Sequence, residues 1–180
     1  MKIDYSLELI NITKKFDSQN VVENLNLSIL PGKVTCLLGP SGCGKSTTLR
    51  IAAGLEEQDS GIVKINGNLI SEPKVCHLPP EKRNIGFMFQ DFALFPHLTV
   101  KKNIEFGITR NKYKSFDNFS TDHILKKIGL DGFQKKYPHT LSGGEQQRIA
   151  LARAILCFCP PDSFTPCSPK CASYPFHPED

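Results

Sequence analysis

The chain is organised around the stretch GPSGCGKST, which runs from Gly39 to Thr47. Its spacing is G-x-x-x-x-G-K-[ST], that of a loop that cradles the phosphates of a nucleotide. A short apolar run, Val34–Leu38, precedes the loop, and helical spacing from Ser46 to Ala53 follows it. Strand, loop and helix in this order are the context that the motif requires. We therefore predict a site for a nucleoside triphosphate with Mg²⁺.

The residue types of this loop explain how it would hold phosphate. Glycines let the backbone curl so that N–H groups point at phosphate oxygens, and the helix start adds partial positive charge. Lys45 supplies a cation for the β- and γ-phosphates, and the Ser46 hydroxyl suits a Mg²⁺ ligand. The alternative is a glycine-rich turn that binds nothing, which would need four fixed positions to coincide by chance. The predicted nucleotide-binding residues are Gly39, Pro40, Ser41, Gly42, Cys43, Gly44, Lys45, Ser46 and Thr47.

Periodicity on both sides of the loop predicts an α/β fold. Strand-like patterns occur in five places, namely residues 7–12, 25–29, 34–38, 61–70 and 85–89. Helical spacing occurs in three, namely residues 46–53, 120–129 and 142–156. Val34–Leu38 has the nearly continuous apolar run of a buried parallel strand, and Asn66-Gly67 predicts a hairpin with a type I′ turn. These patterns indicate an α/β domain with a small antiparallel lobe.

A second anion-binding helix start is predicted at LSGGEQQR, Leu141 to Arg148. Ser142, Gly143 and Gly144 open a helix whose first N–H groups have no partner within the helix. With both motifs in this order, residues 5–156 resemble the ATP-binding subunit of ABC transporters, and LSGGEQQR is similar to the signature motif of that family. The resemblance implies a RecA-like P-loop NTPase core, a small antiparallel β lobe, a helical signature lobe, and ATP with Mg²⁺ as ligands.

The resemblance also implies roles for residues outside the phosphate loop, the name used from here on for Gly39–Thr47. Phe16 lies where the family carries an aromatic residue that stacks on adenine; the alternative is an ordinary core aromatic at a strand end. Gln90, which ends IGFMFQ, corresponds to a glutamine that contacts Mg²⁺ and positions the attacking water, so Ser46 and Gln90 form the implied metal set. His97 is interpreted as a loop residue. The implied contacts to the ATP of a partner subunit are Leu141, Ser142, Gly143, Gly144, Glu145 and Gln146.

Partners follow from the same resemblance. In the family, each ATP lies between the phosphate loop of one subunit and the signature motif of another, which implies a homodimer or a sister ATPase subunit. The segment Asp91–Phe106 leads into the lobe that touches an integral membrane permease. Four apolar residues there suit either docking of a partner helix or packing within the lobe, namely Phe92, Leu94, Phe95 and Leu98. A solute-binding protein is an indirect partner, and no nucleic acid is expected.

The composition changes beyond Leu156. Residues 157–180 contain six Pro and four Cys but no Leu, Ile, Val or Gly, so we predict an incomplete ATP-binding domain over residues 1–156 and an unstructured tail over residues 157–180. The family pattern would continue with a strand ending in Asp-Glu and a switch histidine. Without them the central sheet is expected to be incomplete and no general base is identified.

Three explanations of the tail are open. They are a reading-frame or joining error near residue 157, a genuine truncated subunit, and a small metal site. The metal site would use Cys157, Cys159, Cys167, Cys171 and His177, whose spacing differs from the usual zinc patterns.

Composition and charge exclude several classes of protein. The apolar share of 39% and the 13 Gly together make about 46% of the chain, which is usual for a globular protein. A net charge of +4 is too small to indicate a nucleic-acid binder. We expect no membrane span and no secretory signal, and the cysteines favour a reducing compartment. The expected location is therefore cytoplasmic, and the resemblance to ABC ATP-binding subunits implies the inner face of the bacterial plasma membrane.

Two functions from different classes remain. The first is the energising ATPase subunit of an ABC importer, or a damaged copy of one; residues 78–100 and 103–108 are most similar to ferric iron importers, with polyamine and sulfate importers close behind. The second is a nucleotide-binding fragment that does not hydrolyse ATP, because it lacks the Asp-Glu strand and the switch histidine.

Overall fold

The computed structural model describes residues 5–109 and 121–156, which form two compact units. The first unit, residues 5–85, is rich in β-strands and carries the phosphate loop. The second unit, residues 86–109 and 121–156, is helical and carries LSGGEQQR. The predicted α/β class, with an antiparallel β lobe and a helical lobe, is confirmed. None of the helices in these residues is long and apolar enough to cross a bilayer.

A five-stranded antiparallel sheet forms the framework of the first unit. In chain order its strands are β1 (Leu7–Phe16), β2 (Gln19–Ile29), β3 (Ser60–Ile65), β4 (Asn68–Glu72) and β5 (Cys76–His77). They lie in the spatial order β2-β1-β3-β4-β5. The pairing of β1 with β2 runs from Leu7 opposite Ile29 to Phe16 opposite Gln19. The strand-like patterns at residues 7–12 and 25–29 therefore belong to one long hairpin.

The hairpin between β3 and β4 has the predicted turn. Asn66 and Gly67 both have positive φ, 49° and 78°, as a type I′ turn requires. Ile65 pairs with Asn68 directly across it. The Asn-Gly signal is confirmed because these two residue types adopt left-handed backbone conformations at low cost.

Helix α1 (Lys45–Ala53) follows the phosphate loop and begins one residue before the predicted start. It ends at Gly54, where φ is 79°. The Gly54 N–H donates to the Ile51 carbonyl (3.1 Å) and the Leu55 N–H to the Arg50 carbonyl (2.9 Å), the pair of bonds that closes a helix at a glycine. Ile51 and Ala52 pack into the core of this unit with five residues of the sheet, namely Leu9, Ile12, Val22, Val63 and Ile70.

Two predicted strands do not form among the described residues. Val34–Leu38 has no strand pairing, and Val34 and Leu38 are 80% and 90% exposed. Ile85–Phe89 is also irregular. A strand of the parallel-sheet type needs neighbours that pair with its backbone and cover both of its faces. Among the described residues, sheet pairing is confined to the five antiparallel strands, so the predictions for both segments were wrong here.

Three helices form the second unit: α2 (Val100–Thr109), α3 (Thr121–Lys127) and α4 (Gly143–Leu156). Their apolar faces meet in one cluster of buried residues, namely Val100, Ile104, Ile124, Leu125, Leu130, Leu141, Ile149, Ala152 and Leu156. Gly107 of α2 faces the backbone of Arg153 so closely that a Cβ there would lie 3.3 Å from its carbonyl carbon. The two predicted helices over residues 120–129 and 142–156 are confirmed, within about two residues at their ends.

Candidate functional site

The phosphate loop approaches strand β2 at Gly44. This residue caps the start of α1 with φ 84° and ψ 4°, a left-handed conformation that suits glycine. A Cβ built on Gly44 would collide with the carbonyl oxygen of Val21 and lie 3.0 Å from Cγ2 of Val22. Gly42, with φ 83°, has open space around it instead. The glycine at position 44 therefore fixes where α1 begins against the sheet.

The side chain of Lys45 lies inside this loop. Its Nζ donates to the carbonyl oxygens of Gly39 (2.8 Å) and Pro40 (2.6 Å), and Sγ of Cys43 lies 3.4 Å away. The loop thus curls around one ammonium group. A phosphate oxygen is a charged acceptor and makes a stronger bond than either carbonyl, so it could displace them.

The first turn of α1 is built to accept an anion. It contains no acidic residue, so nothing on the helix neutralises its positive end. Ser46 is exposed there, with its hydroxyl accessible from solvent. Thr48 is buried, and its Oγ1 donates to the Gly44 carbonyl (2.9 Å), which holds the start of the helix in place. This donor set fits the phosphates of a nucleotide, and the Ser46 hydroxyl fits a Mg²⁺ ligand.

At the start of α4, Ser142 and Glu145 form a reciprocal cap. Oε2 of Glu145 accepts bonds from the Ser142 N–H (2.7 Å) and hydroxyl (2.8 Å), and the Glu145 N–H lies 3.4 Å from Oγ of Ser142. The bonds from the Ser142 backbone and hydroxyl lower the pKa of Glu145 from its ordinary value. The Gln146 amide donates to the carbonyls of Pro138 and Leu141, both at 3.1 Å.

The neighbouring signature residues show which part of this segment is accessible. Leu141 is buried in the core of the unit. A Cβ on Gly143 or Gly144 would meet nothing within 4 Å, so this side of the helix start is open. Sequence reasoning identified the helix start but missed that Ser142 is already bonded to Glu145.

Phe16 and Gln90 are both exposed. Phe16 ends β1 with 43% of its surface accessible, and Nζ of Lys14 lies 5.1 Å from its ring centroid. The interpretation of Phe16 as an ordinary core aromatic is therefore wrong. Gln90 lies in a turn of the second unit, whereas Ser46 lies in the first. The loop residues of the predicted site are brought together within one unit; the two predicted Mg²⁺ ligands belong to different units.

The four apolar residues suggested for docking, Phe92, Leu94, Phe95 and Leu98, are half-buried. Leu94 packs against the core of the helical unit, and the ring of Phe95 lies 4.6 Å from that of Phe106. Packing therefore accounts for Leu94 and Phe95, and the docking role suggested for these two is not supported. His97 lies exposed in a turn, as predicted.

Asn103 and Arg83 are among the buried polar residues that the sequence analysis did not identify. Asn103 is fully buried; its Oδ1 accepts from the Phe95 N–H (2.9 Å), and its Nδ2 is 3.1 Å from each of the carbonyls of Phe95, Leu98 and Thr99. Arg83 is 1% exposed, and burial lowers its pKa from the ordinary value, while Cys76 and Glu57 oppose that shift. Neither residue belongs to a motif, so no local signal identified it.

Known proteins are similar to this chain over most of its length. The ABC transporter family model matches residues 22–160. The chain is 45% identical over 157 residues to the spermidine/putrescine import ATP-binding protein PotA of Acetivibrio thermocellus, covering 87% of this chain and 43% of PotA. It is 43% identical over 152 residues to the sulfate/thiosulfate import ATP-binding protein CysA of Mycobacterium bovis, covering 84% of this chain and 42% of CysA. The chain thus spans about two-fifths of the length of these relatives.

A solved structure shows a similar fold. The ATP-binding cassette MJ0796, determined as a dimer in a post-hydrolysis state with ADP and Pi, superposes with a TM-score of 0.67 at 33% identity. The match covers 84% of this chain and 69% of MJ0796. This match shows that the chain shares the fold of such a cassette over most of its length.

Proposed function

The chain belongs to the ABC transporter family, and we propose on this basis that it is part of an ATP-binding subunit that energises solute import across a bacterial inner membrane. The supporting observation is the phosphate loop, in which Lys45 and the acid-free first turn of α1 present donors to one region. The two importer subunits named above are 45% and 43% identical to this chain over 87% and 84% of its length. We assign residues 1–156 to the ATP-binding domain; residues 157–180, including the cysteines and histidine of the suggested metal site, lie outside the described residues.

Binding would proceed by exchange of acceptors at Lys45. In the free loop its ammonium is held by the carbonyls of Gly39 and Pro40; with ATP bound it would turn to the β- and γ-phosphates. The N–H groups at the start of α1 would donate to the same phosphates, and the exposed ring of Phe16 would stack on the base. Ser46 and Gln90 would hold Mg²⁺, which supplies charge neutralisation of the phosphates.

ATP hydrolysis coupled to transport is proposed for the whole protein. Gln90 is proposed to position the attacking water, and no described residue is assigned as general base. The alternative is a fragment that binds nucleotide without turnover. Release of phosphate from ATP by the purified chain supports hydrolysis; stoichiometric binding without release supports the alternative.

The proposed partners complete the site. Ser142, Gly143 and Gly144 would contact the ATP held by a second copy or a sister subunit, whose own motif would contact the ATP held here. The segment Asp91–Phe106 would contact a membrane permease, and the protein would then lie on the cytoplasmic face of the membrane. Ferric iron is the solute that the sequence favours, whereas the relatives described above import polyamines and sulfate or thiosulfate.

The substitution Lys45→Ala tests nucleotide binding directly. We expect the dissociation constant for Mg²⁺-ATP to rise about 10–100-fold, because about 1.5–3 kcal/mol of charged hydrogen bonding is lost. Isothermal titration calorimetry measures the change. Lys33→Ala is the matched control, since it removes an equal charge from an exposed position outside the loop. An unchanged affinity in Lys45→Ala would refute the assignment of the phosphate loop.

A further inference from the structure

Arg83 is a buried cation at the end of α1 opposite the phosphate loop. Its Nη1 donates to the carbonyl oxygens of Ile51 (2.8 Å) and Ala52 (3.0 Å). Both carbonyls belong to the last turn of α1, where most acceptors have no partner within the helix. The Ile51 carbonyl also accepts from the Gly54 N–H, so the guanidinium adds a second donor there and supplies one to Ala52. It places its positive charge at the negative end of the helix dipole.

The same side chain is fixed on its other side. Nε of Arg83 donates to the Leu78 carbonyl (2.7 Å), and Nη2 lies 3.4 Å from Nδ1 of His77. The planar fork of donors therefore joins α1 to the chain that leaves β5. Gly54 leaves room for it, since a Cβ there would lie 2.7 Å from Cζ of Arg83.

Because helix α1 is short, the position of its last turn affects the direction in which its first turn points. Its nine residues span about 13 Å, and its first residue is Lys45. At that end the helix is held by the bond from Thr48 to the Gly44 carbonyl and by the approach of Gly44 to Val21. At the other end, Arg83 holds it. Without the Arg83 bonds the last turn of α1 could tilt, and the N–H groups at the start of the helix would then point in a different direction.

We propose that Arg83 is a positioning residue for the phosphate loop: by clamping the last carbonyls of α1, it sets the direction of the helix start and of Lys45. This inference rests on the proposed nucleotide-binding function. It assigns to Arg83 an effect on phosphate affinity, in addition to its contribution to stability, without any contact with the nucleotide.

The test uses the full chain and two variants. Arg83→Met keeps most of the apolar stem and removes every donor, whereas Arg83→Lys keeps the charge but loses the planar fork. We expect the dissociation constant for ATP to rise about 5–20-fold in Arg83→Met and less in Arg83→Lys. Inorganic triphosphate should lose affinity by the same factor as ATP, because the effect is confined to the phosphate groups.

Stability must be measured in parallel, because a merely structural role lowers stability without changing the affinity of folded molecules. Binding is therefore measured at a temperature at which circular dichroism shows each protein to be folded. Asn103→Ala is the matched control: it removes a buried, fully bonded polar side chain from the helical unit and should leave ATP affinity unchanged. If Arg83→Met does not fold, Arg83→Lys decides the question.

The outcomes separate the two proposals. If the unmodified chain fails to bind ATP, the proposed function is wrong and the inference falls with it. If the unmodified chain binds ATP and the folded Arg83 variant binds within twofold of it, Arg83 has only a structural role and the inference is overturned. A phosphate-specific loss in the Arg83 variants, absent in Asn103→Ala, supports it.

Discussion

The contact between Gly44 and strand β2 gives a quantitative prediction for two glycines of the phosphate loop. Gly42 and Gly44 have nearly the same left-handed backbone, with φ of 83° and 84°. Alanine in this region costs about 1–2 kcal/mol at either position. Only at Gly44 does the added Cβ also meet the Val21 carbonyl, a backbone atom that cannot move without shifting β2.

The expected losses of stability therefore differ. Gly42→Ala should lower the free energy of unfolding by about 1–2 kcal/mol, from backbone strain alone. Gly44→Ala adds the cost of overpacking, about 1–3 kcal/mol, for a total of about 2–5 kcal/mol. Urea unfolding followed by circular dichroism, with linear extrapolation to water, gives both values. Because backbone strain is common to both variants, the difference between their losses in unfolding free energy measures the cost of the collision with Val21.

Equal losses in the two variants would refute this reasoning, since they would show that the helix start does not press against β2. Gly67→Ala provides a further reference, because its φ is 78° and its surroundings are equally open, yet it lies in the β3–β4 turn far along the chain. Gly67→Ala should therefore lower the free energy of unfolding by as much as Gly42→Ala does.

Two further predictions concern the exposed apolar segment and the cap of α4. Leu38→Ala should change the free energy of unfolding by less than about 0.5 kcal/mol because Leu38 is 90% exposed, whereas Leu9→Ala, at a buried site in β1, should cost about 2–5 kcal/mol; similar losses in urea unfolding would mean that Leu38 is buried after all. The pKa of Glu145 is lowered by its bonds from Ser142, so the carboxylate contributes stability above its ordinary pKa of 4.5, and this contribution is lost as the pH falls through the lowered value. Glu145→Gln should therefore show a smaller fall in Tm than the unmodified chain between about pH 6 and pH 3, and an identical fall in both would contradict the cap.

Local signals predicted the elements whose stability is local. The Asn66-Gly67 turn, the end of α1 at Gly54 and the start of α4 after Ser142 are all as expected, because each depends on residues within about four positions of one another. The patterns at residues 7–12 and 25–29 located parts of β1 and β2 but not their full length, Leu7–Phe16 and Gln19–Ile29, or their pairing through a short turn.

The candidate site was predictable in its residues but only partly in its geometry. The motif located Lys45 at a helix start and the signature located Ser142 at another. The bonds that now hold these side chains, from Lys45 to the loop carbonyls and from Ser142 to Glu145, are properties of the folded backbone. The roles of Asn103 and Arg83 depend on carbonyls distant in sequence or on burial, and no motif marks either residue.

The sequence by itself determined the family, the positions of the two motifs and the elements formed by near neighbours, because spacing and residue type are sufficient for these. Tertiary structure alone decided the fate of Val34–Leu38, whose apolar run is typical of a buried strand but which finds no pairing partner among the described residues. It also decided that a buried guanidinium from Arg83 holds the end of α1. Burial and backbone pairing are supplied by segments far away in the chain, so a local pattern can show that a residue suits such a place without showing that the place exists.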